Sequence, residues 1–211
     1  MSKAVDISEA VWAERADADA DAVADRVASV IGRPGAKTLA VPGGRTPVPI
    51  LEALAARGLD WTGAEFWPTD DRVVPVDHPA SNFGMLRRTL GGTGAALRPL
   101  EPYMRPPRFD LVWLGMGEDG HVASVFPNGC DAIPVAPAVA EVTPDPLPPE
   151  APFARLTLTL GALADCGAMI LVVSGAGKRA VIEDALAERS DLPIARLLRI
   201  LSAPPMIYWT P

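Results

Sequence analysis

Two histidines occur in 211 residues, and one of them, His121, ends the run Gly115-Met116-Gly117-Glu118-Asp119-Gly120-His121, with two carboxylates within three residues of it. Imidazole is the side chain best able to exchange a proton near neutral pH, and a nearby carboxylate orients its ring and stabilises its protonated form. Either Asp119 or Asp70 can fill that place. Asp70-Asp71-Arg72 also carries a guanidinium, suited to a planar or anionic group, including a developing oxyanion. Read alone, that triplet is equally a surface ion-pair cluster, and His121 equally a solvent-facing side chain at a helix start. His78, in Val76-Asp77-His78-Pro79, has no such surroundings and reads as a loop residue.

Two further clusters suit an anion. In Pro42-Gly43-Gly44-Arg45-Thr46-Pro47 the glycines permit a tight turn, Thr46 offers a hydroxyl, and Pro47 fits a first helical position. Free amides there would face a phosphate, although a plain strand-to-helix turn fits as well. Lys178, after Ser174-Gly175-Ala176-Gly177, holds a comparable place. The Gly43 turn is not a Walker A loop, which needs Gly-Lys-Ser/Thr, and Lys178 read alone is equally an ordinary solvated lysine. Residues 115–120 match G-x-G-x-x-G literally, but a dinucleotide site also needs a βαβ unit closing on an acidic residue about 20 positions on. Glu141 falls inside a proline-rich stretch, so nicotinamide dinucleotide binding is rejected. Ser124 reads as a helix-surface serine rather than a nucleophile. Two histidines and two cysteines, Cys130 and Cys166, spaced 36 apart, give neither a metal-ligand pattern nor a disulfide framework.

The elements that must position these residues follow from the hydrophobic pattern. Residues 8–31 read as a helix with Ser8 as N-cap and Gly32 as its stop. A strand at 38–41 runs into the Gly43 turn and a helix at 48–56. A strand at 65–67 enters Thr69-Asp70-Asp71-Arg72, and a helix spans 81–90. The apolar run 109–114 enters the His121 loop, with a helix expected after it. A strand at 168–173 precedes the Lys178 turn and a helix at 179–188, and 206–209 is a last strand. Continuous apolar runs alternating with helices predict a parallel sheet covered on both faces, with ligands beyond the carboxyl ends of its strands. Seven prolines between Pro134 and Pro152 predict an extended surface loop or edge excursion, followed by a half-exposed strand over 155–159.

Composition narrows the function classes. Apolar residues at 49% allow a sizeable core, and residues 1–211 read as one domain. A net charge of −7 disfavours non-specific binding to nucleic acid or an anionic membrane. The opening Met1-Ser2-Lys3-Ala4-Val5-Asp6 has no apolar signal region and no run is long enough to span a membrane, so a cytoplasmic protein is expected.

Taken in order, Gly43-Gly44-Arg45-Thr46-Pro47, Asp70-Asp71-Arg72-Val73-Val74-Pro75, Ser81-Asn82-Phe83-Gly84, the run from Gly115 through His121 to Pro127, Arg155-Leu156-Thr157-Leu158-Thr159 and Gly175-Ala176-Gly177-Lys178 resemble the 6-phosphogluconolactonase family over about residues 8–210. The resemblance implies a three-layer α/β fold with a mostly parallel, Rossmann-like sheet, shared with glucosamine-6-phosphate deaminase and ribose-5-phosphate isomerase. It implies hydrolysis of 6-phospho-D-glucono-1,5-lactone with no cofactor and no metal, by a monomer or small homo-oligomer. It makes His121 the general base, with Asp70, Arg72 and Asp119 in the same catalytic group. Gly43, Gly44, Arg45, Thr46, Gly117, Arg155 and Lys178 become the substrate and phosphate contacts. Arg45 stands where the family carries a small residue, Asp71 where it carries Glu, and Asn128 where Gly is common. The related deaminases carry a glutamate five residues after the histidine for proton transfer; here that residue is Phe126, whose ring cannot relay a proton. A sugar-phosphate sensor of the same fold would need a DNA-binding helix-turn-helix, for which this acidic chain leaves no room.

Overall fold

The computed structural model describes residues 11–13, 19–147, 149 and 151–211. In chain order these form β1 Val11–Ala13, α1 Ala20–Ile31, β2 Lys37–Val41, α2 Pro47–Ala55, β3 Ala64–Pro68, β4 Asp70–Arg72, α3 Asn82–Leu90, β5 Ala96–Leu97, β6 Leu111–Leu114, β7 Val139–Val142, β8 Arg155–Leu158, α4 Leu160–Ala164, β9 Met169–Ser174, α5 Ala176–Leu186, α6 Pro193–Ile200 and β10 Met206–Thr210.

Seven strands pair in parallel in the order β1-β10-β9-β6-β2-β3-β5. Successive side chains point to opposite faces of a strand, and both faces are covered. Leu39, Val41, Leu111 and Trp113 pack under α1, α2 and α3, while Ala40, Val112 and Leu114 pack under α4, α5 and α6. This explains why β2 and β6 read as unbroken apolar runs. Each leucine fully buried there contributes about 1.5–3 kcal/mol.

The strand order also locates a crevice. From β2 the chain steps outward through β3 to β5, then returns to the other side of β2 as β6 and continues outward to β9 and β10. The reversal lies between β2 and β6, and a crevice opens beyond the carboxyl ends of such a pair. The Gly43 turn follows β2 and the His121 loop follows β6.

A second sheet, antiparallel in the order β4-β8-β7, covers part of the α4–α6 side through Val139, Ala140 and Leu158. Thr69 joins the two sheets: its N–H donates to the Val41 carbonyl at 2.9 Å and its carbonyl accepts from Leu158 N–H at 2.9 Å. The proline-rich stretch therefore contains a paired strand, β7, because its prolines flank residues 139–142 and leave their amides free for the ladder. β8 is the central strand of this sheet and is mostly buried, not half-exposed.

Two other expectations are corrected. Residues 11–13 are an edge strand rather than helix, and α1 begins at Ala20, capped by Asp19 Oδ1 accepting from Ala22 N–H at 2.7 Å. Ser8 lies outside the described residues. No helix follows His121: Val122 and Val125 bridge each other across a tight turn, with Ala123 at φ +50°. Both valines are fully buried, so this turn is held by core packing rather than by helical hydrogen bonds.

Candidate active site

Four strand ends open on one cavity of about 590 Å³, whose walls include Gly43, Gly44, Arg45, Thr46, Asp70, Arg72, Asn82, Gly117, His121 and Lys178. All but Asn82 were candidates from sequence.

The His121 loop is closed on itself. Gly117 N–H donates to the His121 carbonyl at 3.0 Å, and Gly120 N–H donates to the Gly117 carbonyl at 3.1 Å. Gly120, at φ +76°, turns the chain, and its carbonyl accepts from Ile194 N–H at 3.1 Å, which anchors the loop to the start of α6. Within this turn Asp119 Oδ1 lies 2.6 Å from His121 Nδ1 and also accepts from His121 N–H at 3.2 Å. Asp119, not Asp70, is thus the carboxylate on the ring. With the Nδ1 proton donated to Asp119, Nε2 is left as the nitrogen able to accept one. A Cβ on Gly117 would fall 2.2 Å from His121 Nδ1 and 2.5 Å from Asp119 Oδ1, so only glycine lets the pair approach. Phe126 packs against the imidazole with ring centroids 4.8 Å apart.

Asp70 belongs to a second, buried network. Its Oδ2 accepts from Ser124 Oγ at 2.6 Å, and Asn82 Nδ2 donates to its carbonyl at 2.7 Å and to Oδ1 at 3.3 Å. The Asn82 Oδ1 accepts from Arg72 Nη1 at 2.7 Å, and Arg72 Nη1 also reaches the Ala80 carbonyl at 3.0 Å. Asp71 turns the other way and receives the Asn82 and Phe83 amides at the start of α3, at 2.6 and 3.1 Å. Ser81 completes that cap, accepting from Gly84 N–H at 2.9 Å.

Ser124 and Asn82 are the site residues that sequence reasoning missed. Ser124 is 2% exposed, because the turn that replaces the expected helix points it inward, where its N–H also donates to Thr157 Oγ1 at 3.1 Å. Asn82 belongs to the Ser81-Asn82-Phe83-Gly84 motif, but its bridge between Asp70 and Arg72 depends on the chain folding back from β4 into α3. Its side chain also explains Gly43: a Cβ there would sit 1.9 Å from Asn82 Cγ.

The opposite wall is built differently. Gly44 (φ +97°) makes the turn after β2, and Thr46 begins α2 without a side-chain capping bond. Gly175 (φ +88°) makes the turn after β9, and α5 starts directly beyond it with Lys178 in its first turn. Two helix N-termini, with Arg45 and Lys178 beside them, border one cavity; neither cation has an ion-pair partner among the described residues. The first-turn amides of α5 and the two cations suit a phosphate, whereas in the first turn of α2 Pro47 and Pro49 carry no N–H and Val48 N–H donates to the Arg45 carbonyl at 3.3 Å.

Two candidates do not line the cavity: Asp119, which touches it through His121, and Arg155. Arg155 faces Arg72 across the antiparallel pair, is 4% exposed, and its Nη2 donates to the Ala151 carbonyl at 2.9 Å. Burial, then the neighbouring Arg72 charge, hold its guanidinium below the ordinary arginine range. A central strand with three of its four residues buried sets this side chain inside the protein, beside its cross-strand partner Arg72.

Among the described residues no three His, Cys, Asp or Glu side chains gather to hold a metal ion, and no helix is long and apolar enough to cross a membrane. Cys130 and Cys166 are buried free thiols, and burial pushes the Cys166 thiol up to about 11.

The profile of the glucosamine-6-phosphate isomerase/6-phosphogluconolactonase family matches residues 12–98 and 92–203. The chain belongs to this family. It is 35% identical to the 6-phosphogluconolactonase of Neisseria meningitidis serogroup A, across 88% of this chain and 90% of that one. Identity to the Pseudomonas aeruginosa 6-phosphogluconolactonase is also 35%, across 95% and 94%. The crystal structure of a 6-phosphogluconolactonase from Shewanella baltica superposes with a TM-score of 0.80 at 26% identity, covering 97% of this chain and 99% of that one. The chain is an enzyme of the 6-phosphogluconolactonase type, with the three-layer fold expected from its sequence.

Proposed function

We propose that the protein hydrolyses 6-phospho-D-glucono-1,5-lactone to 6-phospho-D-gluconate, the second step of the oxidative pentose phosphate pathway, in the cytoplasm and without a metal. The observation that carries this reading is the Asp119–His121 pair at 2.6 Å, set across one cavity from two helix N-termini and Lys178. The phosphate anchors among Gly43, Gly44, Thr46 and Lys178, with Arg45 at the rim, which holds C1 of the lactone near His121. His121 Nε2 takes a proton from water as the water oxygen bonds to C1. Arg72 or a backbone N–H stabilises the tetrahedral oxyanion. As the bond from C1 to the ring oxygen breaks, His121 returns the proton to that oxygen, and the new carboxylic acid ionises. Asp119 stabilises the imidazolium in between, and Gly117 gives the pair its clearance.

Glucosamine-6-phosphate deamination is the competing chemistry within the family. The Phe126 ring against His121 puts an apolar group where that reaction would call for a proton relay.

The test is hydrolysis of freshly generated 6-phosphogluconolactone, followed as acid release above the spontaneous rate, for wild type and His121→Ala, with chelator present. Expected are chelator-resistant acceleration, a roughly 10²–10⁴-fold loss in His121→Ala, and no ammonia from glucosamine 6-phosphate. A folded wild type that gives no acceleration overturns the reading.

A further inference from the structure

The sequence between the anion-binding turn and the last strand contains a cluster that this chemistry does not use. Arg179, one residue after Lys178, places its guanidinium carbon 4.7 Å from the ring centroid of Trp209 in β10 and 5.1 Å from that of Trp12 in β1. Its Nε pairs with Glu183 Oε1 at 2.7 Å, one turn along α5. The two indoles come together because β1 and β10 run parallel with Trp12 opposite Ile207, which puts Trp12 on the same sheet face as Trp209.

The same tryptophan holds the turn itself. Trp209 Nε1 donates to the Gly175 carbonyl at 3.0 Å, and Gly175 N–H donates to the Thr210 carbonyl at 2.8 Å. Both sides of the glycine that opens α5 are therefore tied to the end of β10, and Arg179 ties the first helical turn to the same ring. Gly175 has φ +88° and ψ 151°, a conformation that glycine enters at little cost but does not hold unaided. Nothing within 4 Å would meet a Cβ there, so packing around the glycine does not fix it either.

We infer that Arg179 and Trp209, with Trp12 beside them, form a clamp that positions the α5 end of the phosphate site and so sets affinity for the phosphate rather than the rate of lactone opening. The inference rests on the phosphate reading of the Lys178 wall. Arg179 and Trp209 are positioning residues, acting through Gly175 and the first turn of α5 on Lys178 and its neighbouring amides.

The experiment compares wild type with Arg179→Met, Arg179→Lys and Trp209→Phe. Inorganic phosphate binding is measured by calorimetry, and KM and kcat for the lactone are measured in parallel. Arg179→Met keeps the stem but loses the charge over the rings; Trp209→Phe keeps a ring but loses the N–H to Gly175. Expected are a phosphate Kd and a lactone KM raised together by about three- to tenfold in both, kcat within twofold of wild type, and partial recovery in Arg179→Lys. Folded variants with wild-type phosphate affinity, or with kcat falling while KM stays unchanged, overturn the clamp, as does a wild type that binds no phosphate. Because the calorimetric arm needs no turnover, a wild type that binds phosphate but leaves the lactone intact overturns the assigned reaction while leaving the clamp standing.

Discussion

The two walls of the cavity are organised on different principles. On the His121 side, side chains hold side chains: Asp119 holds the imidazole, Ser124 and Asn82 hold Asp70, and Asn82 holds Arg72. Most of those holding groups are buried. On the Lys178 side, the fixed parts are backbone: two turns with positive-φ glycines and the ends of two helices, with Arg45 and Lys178 left without ion-pair partners among the described residues. In the proposed reaction, the contrast follows from what each wall does. A proton moves productively only over a well-defined donor–acceptor distance, so the base must be oriented to within tenths of an ångström. A phosphate is bound by summed charge and amides, which tolerate looser side chains.

This comparison is sharpened first on the proton side. His121→Ala is expected to have the largest effect on kcat, as above. Asp119→Asn should follow, losing roughly 10- to 100-fold in kcat, the worth of one charge-assisted hydrogen bond of about 1.5–3 kcal/mol, with KM little changed. An Asp119→Asn enzyme whose KM rises while kcat holds would place Asp119 on the binding side instead.

Lys178→Met tests the other wall. KM should rise by about tenfold, consistent with loss of a hydrogen bond to a charged group, and the gap to wild type should narrow between 0.05 and 1 M salt (approximate values), because exposed charges are screened. A salt-independent gap would break the distinction.

The two adjacent glycines separate the walls within one loop. Gly43→Ala drives a Cβ into Asn82 and should destabilise the fold by about 1–3 kcal/mol while lowering kcat, since Asn82 holds both Asp70 and Arg72. Gly44→Ala meets nothing within 4 Å but strains a φ of +97°. It should cost about 1–2 kcal/mol and act on KM instead. Thermal melts and steady-state kinetics on the pair decide this.

The smallest effect lies away from both walls. Burial raises the Cys166 thiol from 9.0 to about 11. The folded state keeps its proton where the unfolded state has lost it, so this contribution to stability is fully present below about pH 9 and is lost as pH rises towards about 11. Denaturant titrations should show that decline, and Cys166→Ala should flatten it.

Much of this was legible before folding. The apolar runs at β2, β6 and β9, the glycine turns after them and the helix over Asn82–Leu90 follow from local periodicity and capping, which the chain carries within windows of ten residues. The edge strand β1 is hidden in the sequence because residues 8–31 are alanine-rich and three residues carry too little pattern to outweigh that composition. Helices α4 and α6 do not stand out in the sequence, α4 being only five residues long.

What the sequence alone determined was the inventory: one histidine beside carboxylates, glycines at strand ends, and cations at two helix starts. What tertiary structure decided was the pairing. The choice of Asp119 over Asp70 for the imidazole depends on a loop closed around Gly117. The burial of Ser124 depends on a partner 54 residues away, and the burial of Arg155 beside Arg72 depends on β8 lying between β4 and β7. Spacing along a chain specifies which face of a strand or helix a side chain takes, but contacts across such separations are set by packing, and only the folded core selects among them.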